Sequence, residues 1–152
     1  MCLILDANLV HQIFPNPTRD FEPIYKAVMK AKASIVYGGY ITEEYFRVYS
    51  FLKTLRILDS QGKARHVSDE RVAARTGELL RSGLCSSDDP HILALAQISG
   101  ARLLCSNDNS LVADFTNRRI LKNPRGKVYR RPSHRDLISS CCSRHAQKRD
   151  TH

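Results

Sequence analysis

The amino-acid sequence predicts an α/β fold in three layers, with helices on both faces of a mostly parallel central sheet and a basic extension at the C-terminal end. Three observations carry that expectation. Short apolar runs such as Leu3-Ile4-Leu5, Ser34-Ile35-Val36-Tyr37 and Arg102-Leu103-Leu104-Cys105 suit strands buried on both faces. Longer amphipathic stretches lie between them, the alternation that builds a parallel sheet. The chain has 152 residues, 42% of them apolar, enough for one domain with a sizeable core.

Taken in order, residues 3–5 form a first strand that ends in Asp6-Ala7-Asn8. Residues 15–20 are a turn-rich loop, and Thr18 or Asp20 would cap a helix running to about Lys32, with Phe21, Ile24, Tyr25 and Val28 on one face. Residues 34–37 form a second strand, stopped by Gly38-Gly39. Thr42 would cap a helix with Tyr45, Phe46, Tyr49, Leu52 and Leu55 on its apolar face, ending near Ser60-Gln61-Gly62. Ser68 opens another helix, which runs to Leu80 or Arg81 and stops at Gly83. Pro90 suits the first helical position, where its missing N–H costs nothing, and Gly100 ends that helix. Asp89 is then the N-cap, its oxygen facing backbone amides or a ligand. A strand at 102–105, a helical turn at 110–115 and a last strand at 127–130 follow. Ser133 and Asp136 approximate a capping box for a short final helix. The polar, basic chain from Ser143 is expected to be disordered. One domain is expected over 1–130, with the extension over 131–152.

No apolar run approaches the ~20 residues that span a membrane. The first six residues carry no basic region ahead of their apolar ones, so they predict a strand rather than a signal peptide, and a cytoplasmic location with no membrane partner. Five cysteines are an odd number, without a Cys-x-x-Cys pair or paired histidines to complete a zinc site. Cys2 and Cys105 are expected as buried free thiols, while Cys141 and Cys142 sit in the basic tail with no assigned role. The net charge of +9 is unevenly placed: residues 1–116 hold 13 Lys/Arg and 13 Asp/Glu, and residues 117–152 hold 11 against 2. A basic extension on a neutral domain points to a polyanion partner, nucleic acid above all.

Open parallel sheets bind ligands outside the carboxyl ends of their strands. Asp6 follows the first strand, Asp108 follows the 102–105 strand, Asp88-Asp89 opens the helix feeding that strand, and Glu43-Glu44 lies in the first turn after Gly38-Gly39. Four carboxylates can therefore converge on one rim. Clustered carboxylates raise one another's pKa, and a hard divalent cation, Mg²⁺ or Mn²⁺, relieves that repulsion. Such a site can activate water for attack on a phosphodiester. Each acid also has an ordinary structural role open to it: turn former, helix cap, or complement to a helix dipole. His11 and His91 are open between lining the cleft and sitting on the surface or in the core. No histidine or cysteine cluster competes for a metal. No Ser-His-Asp triad or glycine-rich phosphate loop is visible, and an Asp-x-Asp phosphatase start would need an acid at Asn8.

Leu-Ile-Leu-Asp-Ala-Asn (3–8), Thr-Glu-Glu-Tyr (42–45), Asp-Asp-Pro-His-Ile-Leu-Ala-Leu-Ala (88–96) and Leu-Cys-Ser-Asn-Asp-Asn-Ser-Leu (104–111) resemble the motifs of the PIN-domain nucleases, in the same order and over about residues 1–130. The resemblance implies a metal-dependent ribonuclease acting on RNA, and, from the small VapC-like prokaryotic members, a toxin with an antitoxin partner and a homodimer. It implies Asp6, Glu44, Asp89 and Asp108 as catalytic metal ligands for Mg²⁺ or Mn²⁺. Glu44 matches the helix glutamate better than Glu43, and Asp89 matches the third acid better than Asp88. Asn8 and Ser106 match polar positions that support the acids. The alternative is a non-catalytic nucleic-acid- or protein-binding module on the same fold.

Overall fold

Five strands, β1 (Cys2–Leu5), β2 (Ser34–Tyr37), β3 (Ala64–His66), β4 (Leu103–Cys105) and β5 (Lys127–Tyr129), pair in parallel in the order β3-β2-β1-β4-β5. Leu3 sits opposite Ile35 on one side and Leu103 on the other. Every residue of β1 and β4 is buried, which is why these strands are apolar throughout rather than alternating. The computed structural model describes residues 1–139. The expected disorder from Ser143, and Cys141 and Cys142, lie outside the described residues.

Seven α-helices connect the described strands: α1 (Val10–Ile13), α2 (Glu22–Met29), α3 (Tyr40–Phe46), α4 (Tyr49–Ser60), α5 (Asp69–Ser82), α6 (Pro90–Ser99) and α7 (Asn109–Phe115). With the all-parallel sheet they give the expected three-layer α/β/α architecture. The core runs through the sheet centre, where Leu3, Ile4, Leu5, Ile35, Leu103 and Leu104 are fully buried. Cys2 and Cys105 are buried free thiols, as the sequence predicts. Among the described residues no helix is long and apolar enough to cross a membrane.

The winding positions the site. The chain runs from β1 outward to β2 and β3, then crosses back through α5 and α6 to lay β4 on the other side of β1. The carboxyl ends of β1 and β4 therefore flank the topological switch point, where open α/β sheets form a crevice.

Three local expectations are corrected. The stretch after Thr42 is two helices, not one: α3 ends at Phe46, and the chain breaks at Arg47-Val48 before α4 starts. Thr42 lies inside α3, whose N-cap is Gly39 at φ 68°. A Cβ at Gly39 would lie 2.5 Å from Val72 Cγ1, and one at Gly38 2.4 Å from the Val67 carbonyl oxygen, so this turn has room only for glycine. The helix expected over 18 or 20 to 32 is a 3₁₀ turn at Arg19–Phe21 followed by the shorter α2, and Thr18 makes no side-chain cap bond. The compositional shift at residue 117 falls inside the domain expected over 1–130. Ile120, Leu121 and Tyr129 belong to the core, β5 completes the sheet, and a 3₁₀ helix at Pro132–Ser139 packs against α2 and β5.

Candidate metal centre

Asp6 leaves the end of β1 with 8% exposure. Its backbone N–H donates to the Cys105 carbonyl at 3.0 Å, continuing the β1–β4 ladder by one step. Its carboxylate accepts from the Asn8 N–H at 3.1 Å and from the Ser106 hydroxyl at 2.8 Å. Ser106 is fully buried, and its oxygen also accepts from the Asp108 N–H at 3.1 Å. One serine thus ties the acids after β1 and β4 together. Asn8 supports Asp6 through its backbone, and Asn8 itself is exposed.

Glu44 arrives on α3. The adjacent Tyr45 is fully buried, and its hydroxyl donates to the Leu5 carbonyl, the residue before Asp6. That bond pins α3 to the end of β1 and brings Glu44 to the crevice. Glu44 Oε1 lies 2.6 Å from His91 Nε2. His91 is 7% exposed, so this contact sits in a largely desolvated setting. Ligand atoms of Glu44, Asp89 and His91 all lie within 4.8 Å of one another, a spacing that suits one metal ion. His91, left open by the sequence between the cleft and the surface or core, lies with the acids.

Asp89 occupies the N-cap position of α6, but its side chain makes no cap hydrogen bond. The expected hold by backbone amides is absent. Pro90 has no N–H to offer, and the Ile92 N–H goes instead to the Asp89 backbone carbonyl at 3.1 Å. The carboxylate is left to the crevice. Burial raises the Asp89 carboxyl above the ordinary range; His91 draws it down, and the charges of Asp6, Glu44 and Asp108 push it up. The four acids therefore share one electrostatic neighbourhood. Asp88 is exposed and lies outside the group.

Asp108 has a structural role as well. It caps α7, with Oδ1 accepting from the Ser110 hydroxyl at 2.8 Å, the Ser110 N–H at 3.0 Å and the Leu111 N–H at 3.2 Å. The Ser110 hydroxyl and these amides hold its carboxyl below the ordinary carboxylate value. Asp6 and Asp108 stand outside the tight Glu44-Asp89-His91 group while still contributing charge to it. Glu43 points elsewhere and lines a separate cavity.

Asp114 was not anticipated from the sequence. It is 3% exposed on α7, and its carboxylate accepts from the Ser86 N–H at 3.0 Å, the Ser86 hydroxyl at 2.8 Å and the Ser87 N–H at 2.8 Å. The Ser87 hydroxyl in turn accepts from the Asp89 N–H at 3.4 Å. Asp114 therefore anchors the loop that delivers Asp89. Its sequence signal was an acid on an apolar helix face, between Leu111 and Phe115 at helical spacing.

Cations reach the same edge from β5. Arg130 follows the carboxyl end of that strand and donates from Nη2 to Asn109 Oδ1 at 2.9 Å, one residue from Asp108. Arg118, Lys122 and Arg125 precede β5 and so gather at the opposite edge. The donor set fits a hard divalent cation: carboxylate oxygens dominate it, and one imidazole nitrogen admits Mn²⁺ beside Mg²⁺. No protein-family model, curated protein or solved structure matches this chain.

Proposed function

We propose that this chain is a metal-dependent endoribonuclease of the PIN-like kind, hydrolysing RNA phosphodiester bonds. The observation that supports this best is the convergence of Asp6, Glu44, Asp89 and Asp108, from four separate segments, on the switch-point crevice around a Glu44-Asp89-His91 group of ligand-bearing size. These acids would hold Mg²⁺ or Mn²⁺, which when bound supplies a lowered water pKa and positive charge beside the phosphate. The Asp6 carboxylate is held by Ser106 and the Asp108 carboxylate by Ser110 and the Leu111 N–H, so both need little ordering when a substrate arrives. His91 fixes the orientation of Glu44. Asp89, free of any cap bond, presents its carboxylate to the crevice. Arg130 supplies a cation for the RNA backbone on the β5 side.

Incubation of total RNA with the protein, with and without Mn²⁺, tests the proposal beside Asp6→Asn, Asp89→Asn and Asp108→Asn. Cleavage should vanish with EDTA and fall by about 10²-fold or more in each variant. Cleavage that survives EDTA, or survives Asp6→Asn and Asp108→Asn together, overturns it.

A second reading has its own support. Asp108 Oδ1 is spent on capping α7 and Glu44 is paired with His91, both ordinary structural roles. These favour a non-catalytic nucleic-acid- or protein-binding module on the same fold. That module would bind RNA with no metal-dependent turnover. A toxin role with an antitoxin partner, and a homodimer, extend the first reading. Recovery of a small partner on co-purification and a doubled mass in solution are their respective tests.

A further inference from the structure

Glu43 and Glu44 are neighbours in the chain yet face different spaces. Glu44 joins the acidic centre, while Glu43 lines a cavity of about 790 Å³ bounded by α3, α4 and the ends of β2 and β3. The cavity opens on the same edge of the sheet as the acids, because Tyr37 and His66, which end β2 and β3, form part of its wall. The two spaces share a partition. Tyr40 lines the cavity, and its ring meets that of His91 edge-on with centroids 5.2 Å apart.

The wall offers an aromatic surface and one uncommitted carboxylate. Phe46 is 53% exposed, and among the described residues no ring stacks on it. Of the carboxylates present, Asp59 accepts from the Tyr37 hydroxyl, and Asp69 accepts from the Gly39 N–H and faces His66 Nε2. Glu43 has no hydrogen bond or ion pair among the described residues. Thr42 Oγ1, also on the wall, is buried without a hydrogen-bond partner. Beside Tyr40, the Arg47 guanidinium lies over the ring at 5.8 Å and donates to its hydroxyl, an exposed cation for a phosphate.

An aromatic platform beside a free carboxylate selects among flat ligands. A carboxylate accepts and never donates. Guanine presents N1–H and N2–H₂ side by side, which match its two oxygens. Adenine and cytosine set an acceptor nitrogen beside their amino group, and uracil has one N–H between two carbonyls. We propose that this cavity is a subsite for a guanine base of the RNA adjoining the cleaved phosphate, with Phe46 as the stacking surface and Glu43 as the reader of the base edge. The assignment rests on the reading of the acidic centre as a phosphodiester-cleaving site, and it adds a base preference to it.

Calorimetric titration of the full-length protein with GMP, AMP, CMP and UMP, without added metal, tests this directly. GMP should bind about ten-fold tighter than the other three, and Phe46→Ala should weaken it about ten-fold, the scale of one lost base stack. Glu43→Gln should bring GMP and AMP to similar affinity. Both side chains are exposed, so the variants should keep the wild-type circular dichroism spectrum. Equal binding of all four nucleotides, no binding, or wild-type behaviour of both variants overturns the subsite. Mn²⁺-dependent RNA cleavage is measured on the same wild-type sample. Cleavage without GMP preference defeats the subsite alone, and GMP preference without metal-dependent cleavage defeats the nuclease reading alone.

Discussion

Replacing Asp114 should separate the anchoring of the Asp89 loop from the rest of the fold. The wild-type carboxylate takes three donors, the Ser86 N–H, the Ser86 hydroxyl and the Ser87 N–H, at 2.8–3.0 Å. In Asp114→Asn the amide oxygen can keep both N–H groups, and the amide N–H₂ can donate to the Ser86 hydroxyl once that hydroxyl turns to accept. Only charge assistance is lost. Bonds to a charged group contribute about 1.5–3 kcal/mol and neutral ones about 0.5–1.5, so Asn should cost about 1–3 kcal/mol in all. Asp114→Ala leaves the two N–H groups without an acceptor and should cost about 3–5 kcal/mol. Urea unfolding followed by circular dichroism reads both. The pH dependence gives a second check. Burial disfavours the ionised Asp114, but the donors of Ser86 and Ser87 outweigh it and hold the carboxyl below its ordinary value. A carboxyl lowered on folding stabilises fully above its unfolded pKa of about 3.9, and that contribution fades as pH falls through the folded value. The gap between wild type and Asp114→Asn should therefore close in acid. An Ala variant within about 0.5 kcal/mol of wild type at pH 7, or an Asn gap that is the same at pH 7 and in strong acid, refutes the anchoring argument.

Three further outcomes follow from the geometry. His91→Ala should weaken Mn²⁺ binding about 10- to 100-fold by calorimetry, because Glu44 loses the group that orients it; wild-type affinity would make His91 idle. Gly39→Ala should lower stability by about 2–4 kcal/mol in thermal melts, since the positive φ and the approach to Val72 both resist a Cβ. Arg130→Ala should weaken RNA binding and flatten the slope of log K against log salt by about 0.7–1; an unchanged slope would exclude a phosphate contact.

The central strands were legible because burial on both faces makes them continuously apolar, a pattern that survives without any knowledge of neighbours. β3 was not, because it lies at the sheet edge, with Arg65 half-buried and His66 exposed. The break between α3 and α4 falls at Arg47-Val48, where neither glycine nor proline marks it. The acids were legible for the same reason as the strands they follow: strand ends in a parallel sheet face one edge. Which of two adjacent acids turns inward was settled by contacts remote in sequence, Tyr45 with Leu5 for Glu44 and the Ser86–Asp114 pairing for Asp89. Asp114 was missed and His91 left open on that account, since their partners lie 28 and 47 residues away.

The bare N-terminus of α6 carries a thermodynamic consequence. A side-chain cap at such a position contributes about 1 kcal/mol, and Asp89 forgoes it. Its ionised form is also disfavoured by burial and by three neighbouring acids, so at neutral pH this residue works against the folded state. Asp89→Asn should therefore melt at a higher temperature than wild type when no divalent ion is added. Added Mn²⁺ should reverse the order, since a ligand bound only by the native state stabilises it by mass action. The position would then be one where stability and activity select opposite residues, and the wild-type aspartate is the one that activity would retain.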